Sequence, residues 1–204
     1  MGAGRFKYKY SIKEIYNIKK SDYFWKFIDF FACKIARFGN LYEKSISNEY
    51  EAESKKFDIR KSKNIIHIGC GAYPISAITL AKMNGGRVVA IDRNIKAVEY
   101  ASKIIKKRNL EEIITVKKGD GRFFPIEKFD TIIVSSCSVP KVEVLENIFS
   151  NAKNNCKIIV REQYAVCKAV ESMIEKYENI DLVERKSNSS FPNYRWESYH
   201  LIKK

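Results

Sequence analysis

The sequence has no apolar run approaching the ~18 residues that a bilayer-crossing helix needs, so no helical span and no membrane partner are expected. Its basic start, residues 1–10, lacks the apolar stretch of a secretory signal, and a cytoplasmic location is the default expectation. Gly2 opens no myristoylation motif, because Phe6 stands where Ser or Thr is required. Proline (four residues) and glycine (nine) are scarce, and no repeat or low-complexity tract occurs. A long flexible linker between two domains is therefore excluded. No C-x-x-C pair exists, and the five cysteines, at 33, 70, 137, 156 and 167, are odd in number. A disulfide framework and a cysteine zinc site are both unexpected. The two histidines, His67 and His200, are too far apart for a metal-ligand motif, so no metal is expected.

What is present is enough for a core. The chain has 204 residues, 45% of them hydrophobic, which is ordinary for a globular domain. Lys and Arg number 38 against 24 Asp and Glu, a formal net charge of +14. Such a balance fits nucleic acid or anionic ligands, and RNA is one partner to be tested.

The apolar pattern changes near residue 62. Before it, residues 11–58 have helical spacing. Ser21-Asp22 reads as a cap between a first helix and a second, and Gly39-Asn40 as a left-handed stop. A third, more charged helix over 45–57 is expected to lie over the main domain. Residues 1–60 thus form a helical cap on a domain at 61–204. The cap is rich in Tyr, Phe and Trp interleaved with Lys. That mixture suits packing onto the domain, a homodimer surface, or stacking on single-stranded RNA.

After residue 62, strands over 64–68, 87–92, 113–117, 129–135 and 157–162 alternate with helices over 76–84, 94–108, 142–152 and 167–177. Alternation of this kind predicts a parallel sheet with right-handed crossovers. Runs at 181–186 and 196–202, joined by a Ser/Asn/Pro loop, predict a closing antiparallel pair. The expected fold is α/β: a Rossmann-like, mostly parallel sheet with an antiparallel C-terminal strand pair and an N-terminal helical extension.

The first strand ends in Gly69-Cys70-Gly71. Glycines at such a turn let the backbone approach a ligand closely. A dinucleotide fingerprint would continue with a third glycine at 74, but Pro74 stands there. Twenty-one residues after Gly71, Asp92 closes the second strand, where an acid can accept from both hydroxyls of a ribose. Gly119-Asp120-Gly121 follows the third strand; Asp120 suits an exocyclic amine, with Arg122 and Phe123 flanking a ring. Nicotinamide redox chemistry is the competing reading, disfavoured by Pro74 and by the missing substrate domain.

This constellation resembles the class I S-adenosylmethionine-dependent methyltransferase family over roughly residues 63–204. The pattern Gly69-x-Gly71-x-x-Pro74-x-Ser76-x-Ile78-x-Leu80-Ala81 is similar to the glycine motif of nicotianamine synthase-like proteins. So is Ile158-Ile159-Val160-Arg161, although Glu162 departs from the small residue expected next. The resemblance implies S-adenosylmethionine as cofactor, bound by Gly69, Cys70, Gly71, Asp92, Arg93, Asp120, Gly121, Ser135 and Ser136. It implies methyl transfer to a small-molecule acceptor or, in the nicotianamine synthase-like alternative, 3-amino-3-carboxypropyl transfer to an amine. In that alternative Tyr50 and Glu53 are the catalytic counterparts, and an amine nucleophile needs a neighbouring base. An RNA methyltransferase and a non-catalytic cofactor-binding subunit remain open.

The segment Ser135-Ser136-Cys137-Ser138-Val139-Pro140 sits where class I transferases face their acceptor. It carries no Asn/Asp-Pro-Pro-aromatic tetrad, which disfavours base N-methylation. Cys137 is read as a small lining residue rather than a nucleophile, which would need an activated thiolate. His67 is read as packing. Tyr194, Arg195 and Trp196 are either acceptor contacts or part of an exposed connector.

Overall fold

A computed structural model of the chain describes residues 8–84, 86–190 and 194–204. The myristoylation reading at Gly2 and part of the 187–194 loop lie outside them. Among the described residues the strands are β1 (Asn64–Ile68), β2 (Arg87–Asp92), β3 (Ile114–Lys118), β4 (Thr131–Val134), β5 (Lys157–Gln163), β6 (Ile180–Ser190) and β7 (Tyr194–Lys203). They form one sheet in the order β3-β2-β1-β4-β5-β7-β6. The first five are parallel, and β7 is antiparallel to both β5 and β6. The expected fold class holds.

The helices are α1 (Ile12–Lys34), α2 (Ala36–Lys56), α3 (Ile75–Asn84), α4 (Ile95–Lys107), α5 (Lys141–Asn151) and α6 (Lys168–Lys176). Successive strand residues point to opposite faces, and each face buries its own core. Ile65, Val88, Ile133 and Ile159 pack with Ala77, Ile78, Ala101 and Ile105 of α3 and α4. Ile66, Ile132, Ile158 and Val160 pack with Leu145, Ile148, Phe149 and Met173 of α5 and α6. Chain order reverses between β1 and β4, and the carboxyl ends of the strands there are where open α/β sheets bind ligands.

The N-terminal segment departs from the expected three helices. α1 runs unbroken through Ser21-Asp22. Its cap is Ser11, whose hydroxyl accepts from Glu14 N–H while the Glu14 carboxylate accepts from Ser11 N–H. That reciprocal box satisfies two orphan donors and leaves Ser21 no capping work. The break falls at Ile35, which is extended (φ −116°, ψ 101°). Gly39 is not a stop but an interior residue of α2, where it lets two helices touch. A Cβ there would come 2.7 Å from the Ala32 carbonyl oxygen and 3.0 Å from the Tyr73 ring. Gly39→Ala is therefore expected to lower the melting temperature. The overpacking cost of about 1–3 kcal/mol exceeds the helix-propensity gain of at most about 1 kcal/mol. A melt at or above the parent temperature would refute the close-approach role. α2 also does not merely overlie the domain, since Ile46, Glu53, Ser54 and the following Phe57 are buried.

The loop expected over 187–194 is mostly strand. The polar residues that resembled a turn pair across the hairpin instead: Ser187 Oγ donates to Glu197 (2.7 Å), and Asn188 Nδ2 donates to Ser198 Oγ (3.0 Å).

Candidate active site

At the end of β1 the chain turns through Gly69 and Gly71, both left-handed (φ +78° and +67°). That conformation strains any L side chain, and the space is closed as well. A Cβ on Gly71 would sit 2.5 Å from Asp29 Oδ2, and one on Gly69 would run into Ser138 Oγ.

Two carboxylates hold this turn from different elements. Asp92, at the end of β2, accepts from Gly71 N–H through Oδ2 (3.0 Å) and from Asn94 N–H through Oδ1 (2.8 Å). Asp29, from α1, accepts from Ala72 N–H through Oδ2 (2.9 Å). Each carboxylate keeps lone pairs for a ligand. Between α1 and the strand ends lies a cavity of about 640 Å³. Gly69, Gly71, Asp92, Arg93, Asp120 and Gly121 line it, together with Asp22, Lys26, Asp29 and Phe30 of α1. Four acids, Asp22, Asp29, Asp92 and Asp120, share the cavity wall with three cations, Lys26, Arg93 and Lys96. Asp120 is gripped by Arg122, which donates from Nη2 to Oδ2 (2.6 Å). Arg122 and Phe123, expected to flank a ring, do not line the cavity, and Phe123 is exposed.

Cys70, Ser135 and Ser136, expected at the cofactor, line a second cavity instead. It measures about 90 Å³ and lies on the far side of Gly69. Six aromatic residues surround it in a chain of ring contacts: Tyr73 to Tyr42 (6.0 Å) and Tyr42 to Trp25 (6.0 Å), both tilted, Trp25 to Tyr194 (4.7 Å), edge-on, Tyr194 to Trp196 (5.8 Å), stacked, and Trp196 to Tyr50 (6.2 Å), edge-on. Tyr194 and Trp196 are thus wall residues, whereas Arg195 is exposed. Among the described residues, only Trp25, Asp29, Gly69, Gly71 and Cys137 border both cavities.

Tyr50 and Glu53, the expected catalytic pair, both meet Arg161. Its guanidinium stacks on the Tyr50 ring, 3.6 Å from the centroid. Arg161 donates to Glu53 Oε2 from Nε (3.0 Å) and Nη2 (2.5 Å), and from Nη1 to Ser76 Oγ (2.7 Å). Tyr50 reaches the aromatic chamber; Glu53 borders neither cavity. The Glu53 carboxylate, expected at the chemistry, is instead paired with a buried cation away from both cavities. Glu162, the departure from the resembling motif, points to the opposite face. There Lys141 lies 3.5 Å away, and its Nζ also donates to the carbonyls of Ser135 (2.5 Å) and Arg161 (3.0 Å).

The titratable groups divide by environment. Burial pushes the Cys137 thiol up to about 12, so it stays protonated and is no nucleophile near neutrality. Burial lowers His67 to about 3, leaving a neutral ring whose Nε2 bonds Ser135 Oγ at 2.7 Å. Asp29 is raised to about 7, first by desolvation and further by the nearby Asp92. Asp29 is the cavity-lining acid that sequence reasoning did not single out. Its one signal was a lone acid inside the apolar run Phe27-Ile28-Asp29-Phe30-Phe31.

Comparison with known proteins bears on the family and the fold. The chain is 27% identical over 136 residues to the ribosomal protein L11 methyltransferase of Thermosipho melanesiensis, covering 65% of this chain and 47% of that protein. It is 30% identical over 115 residues to the demethylmenaquinone methyltransferase of Lactobacillus johnsonii, covering 53% and 47%. The chain thus spans about half the length of the curated relatives it matches. Its fold is similar to a crystal structure of a Glu-to-Gln variant of MtNAS, a nicotianamine synthase, in complex with S-adenosylmethionine. That match has a TM-score of 0.74 at 18% identity and covers 93% of this chain and 77% of the other. The family model described as the methyltransferase domain matches residues 59–203. That match takes in every strand of the sheet and well over half of the chain, and so the protein belongs to the methyltransferase-domain family.

Proposed function

We propose that this chain is an S-adenosylmethionine-dependent transferase acting on a small molecule, methyl transfer being the first reading. One observation carries it: an acid-lined cavity at the glycine turn adjoins a separate aromatic chamber, with Asp29 bordering both. The residues fit the cofactor. Asp92 suits the ribose hydroxyls, Asp120 the adenine amine, and the turn backbone the methionine end. When bound there, S-adenosylmethionine supplies a carbon made electrophilic by a sulfonium.

The chain's own residues do the rest. The aromatic walls exclude water and favour a cationic or planar acceptor. Asp29 takes the proton an amine or hydroxyl acceptor must lose, because a carboxylate poised near neutrality suits a general base. The buried Arg161–Glu53 pair fixes the chamber floor beneath Tyr50.

Aminocarboxypropyl transfer to an amine is the alternative, favoured by the helices α1 and α2 seated on the glycine turn, as the coverage of MtNAS includes them. Calorimetric titration distinguishes the two. Micromolar binding of S-adenosylmethionine and S-adenosylhomocysteine supports methyl transfer, whereas tight binding of methylthioadenosine supports the alternative. Binding of none of the three overturns the transferase reading. In the same assay Asp92→Ala is expected to weaken cofactor binding by about 1–3 kcal/mol, the scale of hydrogen bonds to a charged group. Unchanged affinity in a folded variant would remove Asp92 from the ribose site.

A further inference from the structure

Helix α1 is apolar on two sides. One side packs on α2 and the glycine turn through Trp25, Ala32 and Cys33. The other faces solvent. Ile12, Tyr16, Tyr23, Phe27 and Phe30 are spaced four, seven, four and three residues apart and so form one line. They are between 52% and 88% exposed. At 1.5 Å per residue the line is about 27 Å long. A line of large apolar side chains this long normally marks an interaction surface.

The charges around the line are lysines, except for Asp22, which pairs with Lys26. Lys13, Lys19, Lys20, Lys26 and Lys34 are exposed. The acids of α1 are drawn elsewhere: Glu14 into the cap, Asp22 onto Lys26, and Asp29 onto the glycine turn. A second copy of the same face would set lysine against lysine. Nucleic acid would match the charge but gain little from Ile12 or from the adjoining Ile15. An anionic lipid surface matches both features. Apolar and aromatic side chains enter the headgroup boundary while lysine stems lie along it with their ammonium groups at phosphate level.

We propose that the outer face of α1 docks the protein onto an anionic lipid bilayer. Lys26 and Phe30 belong to this face and to the rim of the 640 Å³ cavity. Docking would therefore hold the cavity mouth at the bilayer surface. The inference stands on α1 and does not rest on the transferase reading.

The test is co-sedimentation of the full chain with vesicles at low ionic strength. Binding to phosphatidylcholine vesicles containing phosphatidylglycerol is expected to exceed binding to phosphatidylcholine alone by about tenfold or more, and to fall with added salt. A Tyr16→Ser, Tyr23→Ser, Phe27→Ser variant is expected to lose about tenfold or more while keeping its circular dichroism. No binding of the parent chain overturns the proposal. So does equal binding by the variant, which would assign attachment to net charge alone. A face that instead carries single-stranded RNA binding, or dimerisation in solution, with no vesicle binding, also overturns it.

Discussion

Replacing Glu53 with Ala is expected to lower the unfolding free energy by about 3–5 kcal/mol, the scale on which a buried charge left without its partner destabilises a fold. The Glu53 and Arg161 side chains are 1% and 3% exposed. Arg161 cannot respond by shedding its proton, because a guanidinium stays charged under any condition in which the protein folds. The deletion therefore strands a cation between Tyr50 and Ser76. For a chain of this size the melting temperature should fall by roughly 6–20 °C. Glu53→Met combined with Arg161→Met should restore most of the loss, since two apolar side chains of similar volume carry no desolvation penalty. A Glu53→Ala protein that melts like the parent yet has lost activity would return Glu53 to a catalytic role and defeat the structural assignment.

Asp29→Asn is expected to reduce turnover by about 10²–10⁴-fold, the usual contribution of a positioned base. The amide is nearly isosteric, and its oxygen can still accept from Ala72 N–H, so cofactor affinity should change far less than in Asp92→Ala. The pH dependence follows from the direction of the shift. The folded carboxyl titrates near 7 against an ordinary 3.8. Activity that needs the carboxylate should rise through about pH 7 in the parent and show no such limb in the variant. Stability should run the other way. Between about 4 and 7 the folded state holds a proton that the unfolded chain has lost, so the contribution of Asp29 to stability falls as pH rises across that window. Asp29→Asn should flatten it. A variant with parental turnover and an unchanged rate profile would remove Asp29 from the chemistry.

The strands and helices of the sheet were legible because each rests on a local signal. A run such as Ile65–Ile68 closed by Gly69 reads as a buried strand whatever surrounds it. The acids at strand ends were legible for the same reason: Asp92 and Asp120 are placed by their own strands. Asp29 was not, since its function depends on α1 folding back over a turn some forty residues later, a tertiary contact with no periodicity to announce it. The helix boundaries at Ser21 and Gly39 misread for a related reason. Ser and Gly carry capping chemistry in isolation, but Ser21 is buried and Gly39 serves helix–helix contact. The 187–194 segment shows the same ambiguity. Ser and Asn satisfy a turn or a polar cross-strand ladder equally well, and only the presence of Glu197 and Ser198 opposite decides.

The belt of rings around the smaller cavity has an optical consequence. The chain contains two tryptophans, and both are in that wall. Intrinsic emission therefore reports on this one place in the molecule rather than on an average over the fold. Trp25 borders both cavities, whereas Trp196 borders the smaller one alone. A Trp25→Phe protein should signal occupation of the smaller cavity through Trp196, and a Trp196→Phe protein should respond at either. Candidate acceptors can thus be screened by unlabelled fluorescence before any product is known.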